Sequence, residues 1–235
     1  MSTGRPAAET AAEPPAGRRP RGAVREGLIA AGLELARSGG PEAVVLREAT
    51  RVVGVVPNAA YRHFADRDEL LASVCNAAMG ELGDRMAADV ARVPGGYGDP
   101  EAALLRLAAI GTAYLRFARE EPGLFATAFA LPVRHAYAFA DVEGFRHGAA
   151  GAESAQSADG PADRTPLGQL RTCLDELVTA GVLDARRRAG IEFPIWSTVH
   201  GTAVLAGQGP LRNLPEDGRG RLEELCLGFI ADGLA

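Results

Sequence analysis

The residues best suited to chemistry lie close together in the run LREATRVVGVVPNAAYRHF, from Leu46 to Phe64. Arg47, Arg51, Arg62, Tyr61, His63 and Asn58 supply guanidinium, phenol, imidazole and amide donors. Such groups suit hydrogen bonding to anions and to base edges rather than bond making. Catalytic signatures are missing from the chain: no HExxH, no GxSxG, no GxGxxG behind a strand and no phosphate loop. His135, His147 and Glu143 fall in or near an irregular middle stretch, so no metal or other cofactor is expected, and the chain does not read as an enzyme. Cys75, Cys173 and Cys226 are far apart and form no CxxC pair, which favours three small buried apolar residues.

Two short helices position the donors. The first fits Leu46 to Val53, and Gly54 can end it in the left-handed conformation. The second fits Pro57 to Phe64, with Pro57 at the start, where its missing N–H is harmless. This is a helix-turn-helix, and its second helix is small enough for a major groove about 12 Å wide. A preceding helix fits Val24 to Arg37, with Val24, Leu28, Ala31 and Leu35 at helical spacing and a stop at Ser38-Gly39-Gly40-Pro41. Asp66 with Glu69 resembles a capping box. It opens a long helix reaching about Arg92, with Leu71, Val74, Ala78, Leu82 and Met86 on one face.

Further helices fit Glu101–Arg119, Pro122–Ala130, a stretch carrying Leu167, Leu170, Leu174 and Leu177, then about Arg188–Gly207 and Pro215–Gly233. The helix from Glu101 carries two apolar rows, which implies burial on more than one side. Residues 141–166 are rich in Gly, Ala, Ser and Asp and read as a mobile loop. Residues 1–20 read as a disordered tail whose basic end suits either an arm along DNA or plain solvation. No stretch alternates with period two, so the expected fold class is all-α, without a sheet.

The 235 residues are 47% hydrophobic, enough for a substantial core. No apolar run approaches the ~20 residues of a membrane helix, and no secretory signal opens the chain. A soluble cytoplasmic protein is expected, with no membrane partner. All 25 basic residues are arginine, and net charge is −5. From Arg18 to Arg67 nine arginines face five acidic residues, a local +4 that leaves −9 for the rest. Phosphate attraction is local, so a basic end on an acidic body is compatible with DNA binding.

The run Tyr61-Arg62-His63-Phe64 followed by Ala65-Asp66-Arg67-Asp68-Glu69-Leu70-Leu71 resembles the signature of the TetR family of transcription regulators. The resemblance extends over residues 24–75. It implies a three-helix DNA-binding head over residues 21–70, a linking helix at about 67–92, and a C-terminal regulatory and dimerisation domain over residues 71–235. It also implies that Arg47 reaches a base or phosphate and that Asn58, Ala59 and Ala60 present the recognition surface. Tyr61, His63 and Arg67 are implied phosphate donors, and Phe64 is implied core. Arg62 suits a solvated role, and Asn58 equally suits a plain helix start. The family usually has Ser or Thr where Val45 and Val56 stand, and a small alanine where Thr50 stands. Two lost caps and fewer phosphate contacts follow. Thr50 is expected to bond a carbonyl one turn back.

In the C-terminal part, Trp196-Ser-Thr-Val-His200-Gly201 resembles the Trp-His-Gly signature of one subgroup of the family, and Glu121-Pro122-Gly123-Leu124-Phe125 resembles a turn between two body helices. The resemblance implies a homodimer through the last two helices, with Ile195, Val199, Ala203, Leu222, Leu225 and Phe229 as interface candidates; monomer core is the alternative for each. It implies a largely apolar pocket for a small-molecule effector. Its candidates are Tyr114, Phe117, Phe125, Phe129, Cys173, Leu177, Trp196 and His200, residues that at helical spacing also suit simple core. The implied function is a ligand-responsive repressor on a palindromic site in double-stranded DNA. The alternative is a helical ligand-binding dimer whose head has lost DNA affinity.

Overall fold

Residues 22–130 and 163–234 are described by a computed structural model; the expected tail, most of the expected middle loop, His135, Glu143 and His147 lie outside them. Within these residues every regular element is a helix. Helix α1 (Ala23–Gly39) buries Leu28, Ala31 and Ala36. A short 3₁₀ turn (Pro41–Ala43) leads to α2 (Leu46–Val53) and α3 (Pro57–Ala60). Gly54 takes φ 72° and ψ 39°, the left-handed conformation a side chain resists, and lets its N–H and that of Val55 both bond the Thr50 carbonyl. Helix α3 is shorter than its sequence suggests. Regular structure stops at Ala60, although the N–H of Phe64 still bonds the Ala60 carbonyl at 2.9 Å, so Tyr61–His63 form a turn.

Helix α4 (Arg67–Val90) starts as its capping residues require. Asp66 accepts the Glu69 N–H at 3.0 Å, and the Glu69 carboxylate accepts the Ala65 N–H, one residue ahead of the cap. Phe64, Val44, Ala49, Ala60 and Leu70 are 0–1% exposed and form the centre of the head with Leu28. Thr50 is buried, and its hydroxyl donates to the Arg47 carbonyl at 2.7 Å. Neither Val45 nor Val56 offers a side-chain cap to the helix it precedes. Val56 is 70% exposed in an extended conformation that suits a capping hydroxyl. Val56→Thr is therefore expected to add about 1 kcal/mol of stability, read as a rise of ~2–4 °C in Tm. An unchanged melt would show that the bare first turn of α3 costs nothing.

The body is arranged around α5 (Pro100–Glu120), capped by Asp99 and packed against α4, α6 (Pro122–Ala128), α7 (Pro166–Thr179), α8 (Glu192–Gly207) and α9 (Glu216–Asp232). Of its two apolar rows, one (Leu107, Ile110, Tyr114 and Phe117) is buried throughout, while in the other Gly111 and Leu115 are buried and Leu104 and Ala108 stay exposed. Thr165 caps α7 through the Gly168 N–H at 3.1 Å, so the helix begins at the end of the supposed loop. Helix α8 starts later than Arg188, because a 3₁₀ turn (Ala185–Arg187) and Gly190 at φ 74° stand before it. Among the described residues no helix is long and apolar enough to cross a membrane.

Candidate functional site

The first site is the exposed side of α2, α3 and the turn after it. Arg47 and Asn58 are exposed, Tyr61 is 59% exposed, and Ala59 and His63 are half-buried. These five lie within one helix-turn-helix, and the buried residues Ala49, Ala60 and Phe64 seat it on α1 and α4. Ala60 does not join the surface expected of it. It is fully buried, because on a one-turn helix it faces the core. Arg67, an implied phosphate donor, is engaged within the head. Its guanidinium donates to the carbonyls of Val44 (2.9 Å) and Pro41 (2.7 Å) and lies 3.5 Å from Glu42. It ties the start of α4 to the turn before α2. Arg51, which sequence reasoning left unassigned, pairs with Glu48 at 2.9 Å.

The second site is a cavity of about 350 Å³ between α4, α5, α7, α8 and α9, lined by apolar side chains that include Leu107, Ile110, Leu170, Ile195, Val199 and Ile230. Tyr114 and Trp196 are among the lining residues. The Trp196 indole N–H donates to the Tyr114 oxygen at 3.3 Å, and that oxygen lies 2.8 Å from His200 Nδ1. Burial lowers the His200 pKa and raises that of Tyr114. Burial therefore disfavours the charged imidazolium, and the ring shares a hydrogen bond with the phenol through Nδ1. Phe129 packs edge-on and Phe125 tilted against the His200 ring, with centroids 4.5 Å and 5.6 Å away.

Of the eight pocket candidates, two line the cavity and three (Phe125, Phe129 and His200) form its aromatic backing. Phe117, Cys173 and Leu177 do not line it. Phe117 and Leu177 are fully buried core, and the Arg85 guanidinium sits 5.0 Å above the Phe117 ring. Burial pushes the Cys173 thiol up to about 12 and the Cys75 thiol to about 11, so both are unreactive at neutral pH. Sequence reasoning missed Leu104, Leu105, Leu170, Leu227 and Ile230 as lining residues, although the double apolar row of α5 was the available signal.

The dimer candidates also divide. Ile195, Val199 and Ala203 are 6–9% exposed within one chain, with Ile195 and Val199 committed to the cavity wall. Leu225 and Phe229 are 55% and 69% exposed, Leu222 is half-buried, and Leu205 joins the outer side at 44%.

Helix α6 connects the two sites. Glu121, just ahead of it, bonds Arg85 of α4 at 2.9 Å and pairs with Arg37 of α1. A Cβ on Gly123 would lie 2.3 Å from the Ala36 carbonyl oxygen and 2.7 Å from that of Arg37. Only glycine lets α6 abut the last turn of α1 this closely. Phe125 and Phe129, from α6 and its C-terminal end, meet the cavity's aromatic group.

No curated protein matches the chain in sequence. Among solved structures, a protein of unknown function from Rhodococcus sp. RHA1 superposes with TM-score 0.64 at 23% identity, covering 95% of this chain and 100% of that one. A TetR family transcription regulator from Marinobacter aquaeolei VT8 superposes with TM-score 0.56 at 16% identity, covering 93% and 99%. At such identities these likenesses establish the fold. The family model described as tetracyclin repressor-like, C-terminal domain, matches residues 107–228 and does not single out the Trp-His-Gly subgroup. With that match over half of its length and a helix-turn-helix ahead of it, the chain belongs to the TetR family of transcription regulators.

Proposed function

We propose that the chain is a ligand-responsive repressor that binds a two-fold operator in double-stranded DNA as a homodimer. Residues 21–70 form the head, residues 71–235 the regulatory body, and α4 belongs to both. The observation that carries the reading is the exposed donor group Arg47, Asn58 and Tyr61 on a head whose other face is fully packed. In the proposed complex α3 enters the major groove, with Asn58 and Ala59 toward base edges and Arg47, Tyr61 and His63 toward phosphates. Arg67 keeps its internal bonds and positions the head. Leu205, Leu225 and Phe229 offer an apolar face for a second copy. The cavity holds the effector, and α6 carries its effect to α1 through Arg37 and Gly123. An effector acts this way only if it prefers one arrangement of the heads. The site of action is the nucleoid.

Exposed Val45 and Val56, in place of capping hydroxyls, favour a second reading: a ligand-binding dimer without DNA affinity. One experiment separates the two. Duplexes from the gene's own upstream region are titrated by gel shift at low salt with protein shown to sediment as a dimer. The repressor reading expects a sequence-specific shift, weakened about tenfold to a hundredfold by Arg47→Ala. A folded dimer with no specific shift supports the second reading instead.

A further inference from the structure

Resting on the reading of the cavity as the effector site, we propose that it selects an apolar molecule that is either uncharged or cationic at one end, and rejects carboxylates. The choice follows from which ionisable groups face the space. Among the described lining residues there is no arginine or histidine, and Glu101 is the one charged residue. Glu101 is exposed in the first turn of α5, beside exposed Leu104 and Leu105, so a carboxylate stands at the mouth. The arginines of the same helix are already committed: Arg106 to Glu176, Arg116 to Asp89 and Arg119 to Glu223.

Deeper in, the Tyr114 oxygen takes the Trp196 N–H and is hydrogen-bonded to His200 Nδ1, while burial keeps the phenol uncharged. A phenol with two partners has one hydrogen-bonding position left and carries no charge. It suits an uncharged polar end such as an alcohol and offers a carboxylate no counter-charge. An anion would therefore leave water without a counter-charge among the described residues, a penalty large enough to cost at least about tenfold in affinity. A cationic end beside exposed Glu101 gains about two- to fivefold, the scale of a solvated ion pair.

Trp196, the sole tryptophan of the chain, lines the cavity and reports on its occupant. The test titrates the full chain at pH 7.5 with decan-1-ol, decylammonium and decanoate and follows Trp196 emission. Saturable binding of the alcohol and the ammonium is expected, with decanoate at least about tenfold weaker. Glu101→Gln should erase the advantage of the ammonium and leave the alcohol unchanged. Leu104→Arg, at the exposed mouth, should strengthen decanoate and weaken the ammonium. Decanoate binding as tightly as the alcohol, or an ammonium advantage that survives Glu101→Gln, overturns the proposed class while the effector site stands. If none of the three alters Trp196 emission, the effector-site reading falls together with the proposed class.

Discussion

Phe64→Ala is expected to lower the stability of the head by about 3–5 kcal/mol, the cost of deleting a fully buried aromatic ring, and to abolish operator binding. Phe64 is 1% exposed and sits where α1, α3 and α4 meet, with Leu28, Val44, Ala60 and Leu70 around it. The Arg25 guanidinium lies 5.2 Å above its ring, so the outer side of the pocket is covered as well. With α3 a single turn long, its own hydrogen bonds cannot hold it; the ring does. The drop should appear as a fall in Tm of roughly 6–20 °C. A variant that melts within 2 °C of the parent (less than about 1 kcal/mol by the same scale) and still shifts the duplex would show that the head does not depend on this residue.

Glu176→Ala is expected to be nearly as damaging, at about 3–5 kcal/mol, for an electrostatic reason. Glu176 is 3% exposed on α7, where it takes the Arg106 guanidinium and the Gly98 N–H (3.1 Å). Arg106 in turn reaches the carbonyls of Gly95 and Gly96, and the cluster closes the α4–α5 loop onto α7. Removing the carboxylate leaves a mostly buried guanidinium without its counter-charge. Replacing both partners, as in Arg106→Met with Glu176→Met, removes the charge along with its need and should recover most of the loss. Urea unfolding of the parent, the single and the double variant measures this. A double variant no better than Glu176→Ala would place the damage in packing and not in the unpaired charge.

Which features were readable from the chain follows from how far each one reaches. The stop at Gly54, the cap made by Asp66 and Glu69, and the back-bond of Thr50 are set within four residues, and each stands as its local chemistry requires. Phe64 was legible as core because it falls on the inner side of a recognisable motif. The exposed side of the head was readable for the same reason, except at Ala60, whose inward direction depends on where α3 stops. Long-range choices were not readable. Arg67 looks like any basic residue at a helix start, and only the fold brings the carbonyls of Pro41 and Val44 within its reach.

The chain by itself determined that there would be helices, where most of them begin and end, and which face of each would be apolar, because these depend on neighbours a turn away. Tertiary structure alone decided what each apolar face meets. Ile195 and Val199 turn toward a cavity while Leu225 and Phe229 turn outward. A periodic row records that water is excluded but not by which partner, and that partner sits tens of residues away or in another molecule.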